Sequence, residues 1–354
     1  MAFITYPGLK ISAVSACVPK KIVSNYDLTD LISGEEIEKT INSIGIKERR
    51  YADKNVCSSD LCYKAAQKLI EDNQIDLNSI DVLIFLSQTP DYHQPATAPI
   101  LQSRLNLPQT VLAFDVNLAC SGYVYGLAIA MSFVSQIGIN RVLFLTGETM
   151  SKTISQKDKV TAPLFGDAGT ATLVEKEPNQ NQECYFSLNS DGSKYEILKM
   201  PYGGYRNPSS YEGFIEEIDN DGNILTGENL KMDGMDVFNF GIRVVPTDIL
   251  KLLKYVNMSI TDIDLVIYHQ ANKFMTDFFT KRLKLTLDKT PYSLSKFGNT
   301  SSASIPLTIV SEMYNKDCYP MRDRVLLSGF GAGLSWGTAL VNLTHCHISQ
   351  LIEY

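Results

Sequence analysis

Short apolar runs, closed at both ends by turn or polar residues, recur along the chain. Four stand out: "SIDVLIFLSQ" (79–88), "NRVLFLTGE" (140–148), "DIDLVIYHQ" (262–270) and "DRVLLSGFG" (323–331). A strand buried on both faces reads this way, because neither face alternates to polar. Between such runs lie helical patterns, such as "SSDLCYKAAQKLIEDN" (58–73), which opens on Ser and Asp as capping residues. Strands alternating with helices predict an α/β protein of parallel sheets with helices packed on them.

The runs repeat. Ile80–Ile84 aligns with Ile263–Ile267, and Arg141–Leu143 with Arg324–Leu326, both at an offset of 183 residues. One shared offset predicts two copies of a single α/β unit, 1–180 and 181–354. Their junction falls near 176–190, where "EKEPNQNQEC" is polar and holds a proline. With no long linker or low-complexity tract, the halves are expected to share one packed interface.

The same offset carries Cys120 onto Ala303, inside "GNTSSASIPL" (298–307). A pseudo-twofold axis would then set two helix N-termini face to face, with Cys120 on one and Asn299 beside the other. A thiol at a helix N-terminus feels unpaired N–H groups and the positive end of the dipole, so its pKa is expected to fall. A cysteine there is equally a small core residue. His269 ends an apolar strand, where α/β sheets place ligand sites, or is a structurally satisfied histidine. Asn299 is a helix cap or turn by itself. Together the three offer a nucleophile, an imidazole and an amide, a set that can activate a thioester and bind an oxyanion. "SGFGAGLSWG" (328–337) lacks dinucleotide-loop spacing and runs on into a strand. "FGDAGTATLV" (165–174) reads as a structural turn into a buried strand.

Composition narrows the function. With 44% hydrophobic and 20% charged residues the chain is globular, and its net charge of −7 argues against nucleic acid. No run is long enough for a membrane span, and the start "MAFITYPGLKISAVSA" has no secretory pattern. Seven scattered cysteines (Cys17, Cys57, Cys62, Cys120, Cys184, Cys318, Cys346) without a CxxC pair predict reduced thiols in a cytoplasm, and no metal site is expected.

Seven segments, in order, resemble the β-ketoacyl-acyl-carrier-protein synthase III family of the thiolase-like superfamily: "GIKERR" (45–50), "ACSGYVYGL" (119–127), "LFGDAGTA" (164–171), "MDGMDVFNF" (232–240), "HQAN" (269–272), "FGNTSSASIP" (297–306) and "GFGAGLSWGTAL" (329–340). The resemblance implies a thiolase-like αβαβα fold from two pseudo-twofold-related halves, a homodimer, no cofactor, and acyl-CoA and acyl-carrier protein as substrates. It places a catalytic triad on Cys120, His269 and Asn299, with backbone N–H groups of Cys120 and Ala332 as the oxyanion hole. The family usually has glycine at the latter position. It places Lys159, Gly234, Phe238, Asn272 and Phe330 along the substrate tunnel, and Gln94, Leu164, Phe165 and Leu230 around the acyl group, Gln94 reaching across the dimer interface. Lys281, Arg282 and Lys284 form a basic cluster suited to an acidic carrier protein, or a solvated helix face.

The implied reaction is a decarboxylating Claisen condensation through an acyl-Cys120 intermediate that initiates fatty-acid synthesis. Several departures open a second reading, a condensing enzyme of a specialised, polyketide- or quinolone-type pathway. Lys39 and Ser43 stand where the family grips the CoA nucleotide, and Gln94 replaces an aromatic. A catalytically silent partner subunit is the third reading. The tail 344–354 has no assigned role.

Overall fold

A computed structural model describes residues 3–177, 183–314 and 319–354. The expected 180/181 division and Cys318 lie outside the described residues. Leaving aside three short two-stranded ribbons, the strands in chain order are β1 (Phe3–Pro7), β2 (Leu9–Val18), β3 (Val82–Leu86), β4 (Leu112–Val116), β5 (Arg141–Thr149), β6 (Asp167–Lys176), β7 (Glu183–Ser190), β8 (Leu265–Tyr268), β9 (Val325–Gly331), β10 (Ser335–Val341), β11 (His347–Ile348) and β12 (Ile352–Glu353). The helices that pack on them are α1 (Ser58–Asn73), α2 (Thr97–Arg104), α3 (Gly122–Val134), α4 (Gly234–Tyr255), α5 (Lys273–Arg282) and α6 (Ser304–Met313).

These strands form the two large sheets. One runs β11-β2-β6-β5-β3-β4, with β12 also paired to β2; the other runs β1-β7-β10-β9-β8. The repeat is visible in their registers. β3 pairs in parallel with β5 so that Val82 faces Val142, and β8 pairs in parallel with β9 so that Leu265 faces Val325. Both partners of the second pair stand 183 residues after those of the first. The polar ends repeat as well. Asp81 Oδ2 accepts the N–H groups of Asn140 (2.7 Å) and Arg141 (3.1 Å), and Asp264 Oδ2 accepts those of Asp323 and Arg324, both at 3.0 Å.

The sheets are mixed, not parallel throughout as the alternating pattern predicts. β6 runs antiparallel to β5 and β2, and β10 antiparallel to β9 and β7. Only three residues join β9 to β10, too few for the crossover a parallel neighbour needs.

Helix α3, "GYVYGLAIAMSFV", is apolar all round because it is covered on both sides. It packs on β5, β3 and β6 of one sheet and on β9 and β10 of the other, and α6 beside it bridges β2, β6 and β8. Helices α1 and α2 cover the outer face of the first sheet, and α4 covers that of the second with α5 packed on it. The layers therefore run αβαβα, the thiolase-like fold. The C-terminal tail has a structural role. β11 and β12 pair with β2, Ser349 and Tyr354 donate to the carbonyls of Val14 and Val18 at 2.9 Å, and Glu353 accepts from Arg50 at 2.7 Å.

Candidate active site

Two helix starts and two strand ends meet in the central layer. Cys120 immediately precedes Ser121, the N-cap of α3, and is 8% exposed. The end of β9 presses against it. A Cβ on Gly331 would lie 2.7 Å from Cys120 Cβ and 3.0 Å from its Sγ, so only glycine allows this approach. His269 follows β8 and is 1% exposed. Its N–H donates to the Ser328 carbonyl at 2.7 Å, its Nδ1 lies 2.7 Å from Ser304 Oγ, and the Phe330 ring meets it edge to face at 5.4 Å. Asn299 is tied at both backbone groups, donating to the Leu164 carbonyl at 2.8 Å and accepting from Gly166 N–H at 3.0 Å. Its Oδ1 accepts the Ser301 N–H at 2.9 Å, which leaves the amide NH2 without a partner among the described residues.

Ser301 joins the three. Its Oγ lies 3.5 Å from Cys120 Sγ, its N–H holds Asn299, and its backbone adjoins the His269 ring. It has a left-handed φ of 50°, rare for a non-glycine residue and tolerated here because the loop is tied on every side.

Cys120 lies on the wall between two cavities. One, of about 900 Å³, is lined by His269, Asn299, Phe330, Asn272, Lys159 and Gly234. The other, of about 670 Å³, is lined by Ala332, Phe165, Leu198, Leu230, Gln88 and Asn117. Ala332 has no left-handed φ, so alanine in place of the family's glycine carries no backbone strain.

Several expected lining residues lie elsewhere. Phe238 packs on Phe274 and Phe278, at 5.2 and 6.2 Å, on the outside of α4 and α5; Val237 takes the tunnel wall instead. Leu164 belongs to the His269 cavity, because its carbonyl is bound to Asn299 N–H and fixes it on that side. Gln94 is exposed and lines neither cavity of its own chain. Lys281, Arg282 and Lys284 are exposed at the far end of α5, about 15 Å of helix from Asn272, and line neither cavity.

The electrostatics reverse one expectation. Burial pushes the Cys120 thiol up from an ordinary 9.0 to about 12, with the Glu148 carboxylate adding to the rise and the Ser301 hydroxyl opposing it. A helix N-terminus is worth about 1 kcal/mol and at most about 2, whereas a rise of three pH units corresponds to about 4. Desolvation therefore wins, and the resting group is a thiol. Burial likewise lowers His269 to about 3, so the imidazole is neutral throughout the physiological range.

Glu148, at the end of β5, went unnoticed in the sequence. It is buried beneath the site and accepts from Ser302 Oγ at 2.8 Å, from Thr89 Oγ1 and Gln88 N–H at 3.1 Å, and from Ser87 Oγ at 3.3 Å. These bonds clamp the loop bearing Asn299 to the strand ends of the first half. Burial raises Glu148 to about 7 despite its four donors. The folded chain thus keeps a proton that the unfolded chain gives up, and between roughly pH 4.5 and 7 this group should lower stability as pH rises, by on the order of 3 kcal/mol. Glu148→Gln, which cannot ionise, should gain on the wild type by about that amount between pH 5 and 8 in urea unfolding. A constant difference across that range would contradict the assignment.

Comparison with known proteins identifies the family. Residues 114–192 match the family described as 3-oxoacyl-[acyl-carrier-protein (ACP)] synthase III, and residues 253–343 match its C-terminal part. A putative 3-oxoacyl-[acyl-carrier-protein] synthase 3 of Campylobacter jejuni is 36% identical, over 98% of this chain and 97% of its own. The crystal structure of a 3-oxoacyl-(acyl-carrier protein) synthase from Burkholderia xenovorans superposes with a TM-score of 0.92 at 35% identity, covering 100% of this chain and 99% of its own. The priming β-ketosynthase of the R1128 polyketide pathway superposes with a TM-score of 0.82 at 26% identity, over 95% and 97%. The chain belongs to the β-ketoacyl-acyl-carrier-protein synthase III family, a family of condensing acyltransferases.

Proposed function

We propose that this chain joins an acyl thioester primer to malonyl-acyl-carrier protein with loss of CO2, through an acyl group held on Cys120. The observation that carries this reading is the place of Cys120 between two cavities, with His269 and Asn299 on one side of it only. The tunnel beside His269 and Asn299 suits an extended thioester arm, and the opposite cavity suits the acyl chain.

In the first half-reaction Cys120 Sγ attacks the primer's thioester carbonyl. A C–S bond forms to Cys120, the old C–S bond breaks, and the thiol proton leaves with the released CoA or carrier thiol. Cys120 and Ala332 backbone N–H groups hold the transient oxyanion. In the second, malonyl-carrier protein enters the tunnel. As the bond to CO2 breaks, its electron pair becomes an enolate whose oxygen is bound by Asn299 Nδ2–H and His269 Nε2–H. We assign the histidine proton to Nε2. Ser304 Oγ accepts the Gln270 N–H at 3.3 Å, which frees its own hydroxyl to donate to Nδ1. The enolate carbon attacks the acyl carbonyl, the bond to Cys120 breaks, and the thiolate recovers a proton.

The edge strand β4 supports a homodimer. It is the last strand of the first sheet, and Leu112 on it is 45% exposed, so pairing with a second copy would continue the sheet. Such a partner could bring Gln94 to the acyl cavity. The basic end of α5 suits an acidic carrier protein. Cys17, Cys57, Cys62 and Cys184 are free thiols as Cys120 is, which fits a reducing, cytoplasmic setting.

Initiation of fatty-acid synthesis is the first role. A specialised pathway is the second, favoured by the tunnel mouth. Thr40 and Ile44, on the short helix Gly34–Ile44, line the tunnel, while Lys39 and Ser43 of that helix are exposed and offer no ring to stack on adenine. Intact-protein mass spectrometry after incubation with acyl-CoAs and acyl-carrier proteins, then malonyl-carrier protein, tests the reading. An acyl adduct that malonyl-carrier protein discharges to a β-ketoacyl product is expected; no adduct from any donor would leave the silent-subunit reading standing.

A further inference from the structure

The segment "GIKERR" (45–50) has no part in the chemistry so far, yet Arg49 within it is fully buried. An arginine rarely reaches that state without a paired charge. Here its Nη1 donates to Tyr51 Oη and to the Ala162 carbonyl, while its Nε and Nη2 have no hydrogen-bond partner among the described residues. Burial pulls its pKa down, and the group opposing the fall is Tyr51, not a carboxylate. A methionine would fill similar space without desolvating a charge, so packing alone does not account for the residue.

What the side chain touches does account for it. Asn299 is held between two pieces of backbone. On one side it bonds to Leu164 and Gly166, with Phe165 paired opposite it; on the other it follows directly from Gly298. Arg49 meets both pieces. Its Nη1 holds the Ala162 carbonyl, two residues before Leu164. Its stem packs against Gly298, where a Cβ would lie 2.8 Å from Arg49 Cγ and 3.5 Å from its Cδ. Gly298 has a left-handed φ of 64°, so the turn into Asn299 depends on that close approach. The backbone around Arg49 is tied to the same two pieces. Lys47 N–H donates to the Ser295 carbonyl at 3.1 Å, and Asn25 Nδ2 joins the Ile46 and Pro163 carbonyls at 2.8 and 2.9 Å. Cys120 is placed separately, by the start of α3 and the glycines at the end of β9.

We propose that Arg49 is a positioning residue for the second half-reaction: it locks the 162–166 loop to the turn at Gly298 and so fixes where the Asn299 amide points. This rests on Asn299 serving the enolate, and goes beyond that reading by naming what holds it in place.

The test uses Arg49→Met, which keeps the stem and loses the donor, and Arg49→Lys, which keeps a donor for the Ala162 carbonyl. Each is loaded with acetyl or butyryl groups from CoA and carrier-protein thioesters, and discharge of the loaded fraction by malonyl-carrier protein is followed by quenched mass spectrometry. Only folded enzyme loads, so misfolded protein does not enter the discharge rate. Arg49→Met should slow discharge about tenfold with loading within about threefold of wild type. Arg49→Lys should bring discharge back to within about threefold. In an Asn299→Ala background Arg49→Met should cost less than about twofold more, because its effect runs through the amide. If Arg49→Met gives no loadable enzyme, Tyr51→Phe, which removes one hydroxyl from the guanidinium, should slow discharge about threefold with loading unchanged. Equal loss of both steps, no rescue by lysine, the same cost with and without Asn299, or unchanged discharge in Tyr51→Phe would each overturn the inference and leave the condensation reading standing. Wild type that never loads, or Asn299→Ala that discharges as fast as wild type, would overturn the reading beneath it.

Discussion

Cys120→Ala is expected to abolish the acyl adduct and to lower β-ketoacyl product formation by at least about 10³-fold, as loss of a covalent nucleophile does. The change removes one sulfur from a site 8% exposed and should cost only about 1 kcal/mol of stability, so the protein still folds. Decarboxylation of a malonyl thioester should survive, because the proposed enolate donors, His269 and Asn299, are untouched. That separation is the diagnostic result. A variant that still forms the adduct would move the nucleophile elsewhere, and one that also loses decarboxylation would point to a collapsed site. The thiol's raised pKa of about 12 adds a second reading of the wild type. Alkylation of Cys120 by iodoacetamide should climb steadily from pH 6 to pH 9. A plateau reached by pH 7 would mean that the helix N-terminus outweighs burial after all.

That reversal shows where the chain's own pattern stops being informative. The position of Cys120 before a helix is visible in the residues, but the layer that buries it is built from β9 and α6, some two hundred residues away, so its desolvation is not. The central strands are legible because a strand covered on both faces must be apolar and must end in polar caps. Asp81 and Asp264 repeat at 183 residues for that reason. The same offset makes Asn299 legible, since it places a second helix start opposite the first. Residues that work by joining distant strand ends leave no such mark. Glu148 and Ser302 are 154 residues apart yet share a hydrogen bond of 2.8 Å. Ser301 is one serine among several in "NTSSAS", and nothing local says that it alone takes a left-handed φ. Leu164 and Phe238 erred in the opposite sense, since a family position names a residue without saying which wall of a cavity the neighbouring backbone gives it.

The second large effect separates the two half-reactions. His269→Ala should leave acyl loading within about threefold of wild type and slow condensation of a preloaded acyl enzyme by about 10²- to 10³-fold. In the proposed reaction, loading draws on backbone donors of Cys120 and Ala332, which do not involve the imidazole. Condensation draws on a charge that exists only after CO2 departs, and in a site this dry each positioned donor to the enolate oxygen counts heavily. Asn299→Asp should be worse than Asn299→Ala, because it keeps the shape but points a negative group at a developing negative charge. Since burial holds His269 near 3, the imidazole is neutral on both sides of pH 6.5. The condensation rate of the preloaded enzyme should therefore show no histidine titration between pH 5 and 8, and a fall below pH 6.5 that vanishes in His269→Ala would contradict the neutral donor. Ser304→Ala frees Nδ1 to take the proton, and it should slow condensation more than loading. Equal loss of both steps in either His269→Ala or Ser304→Ala would mean that the imidazole serves Cys120 as a base, and the two cavities would then not divide the chemistry between them.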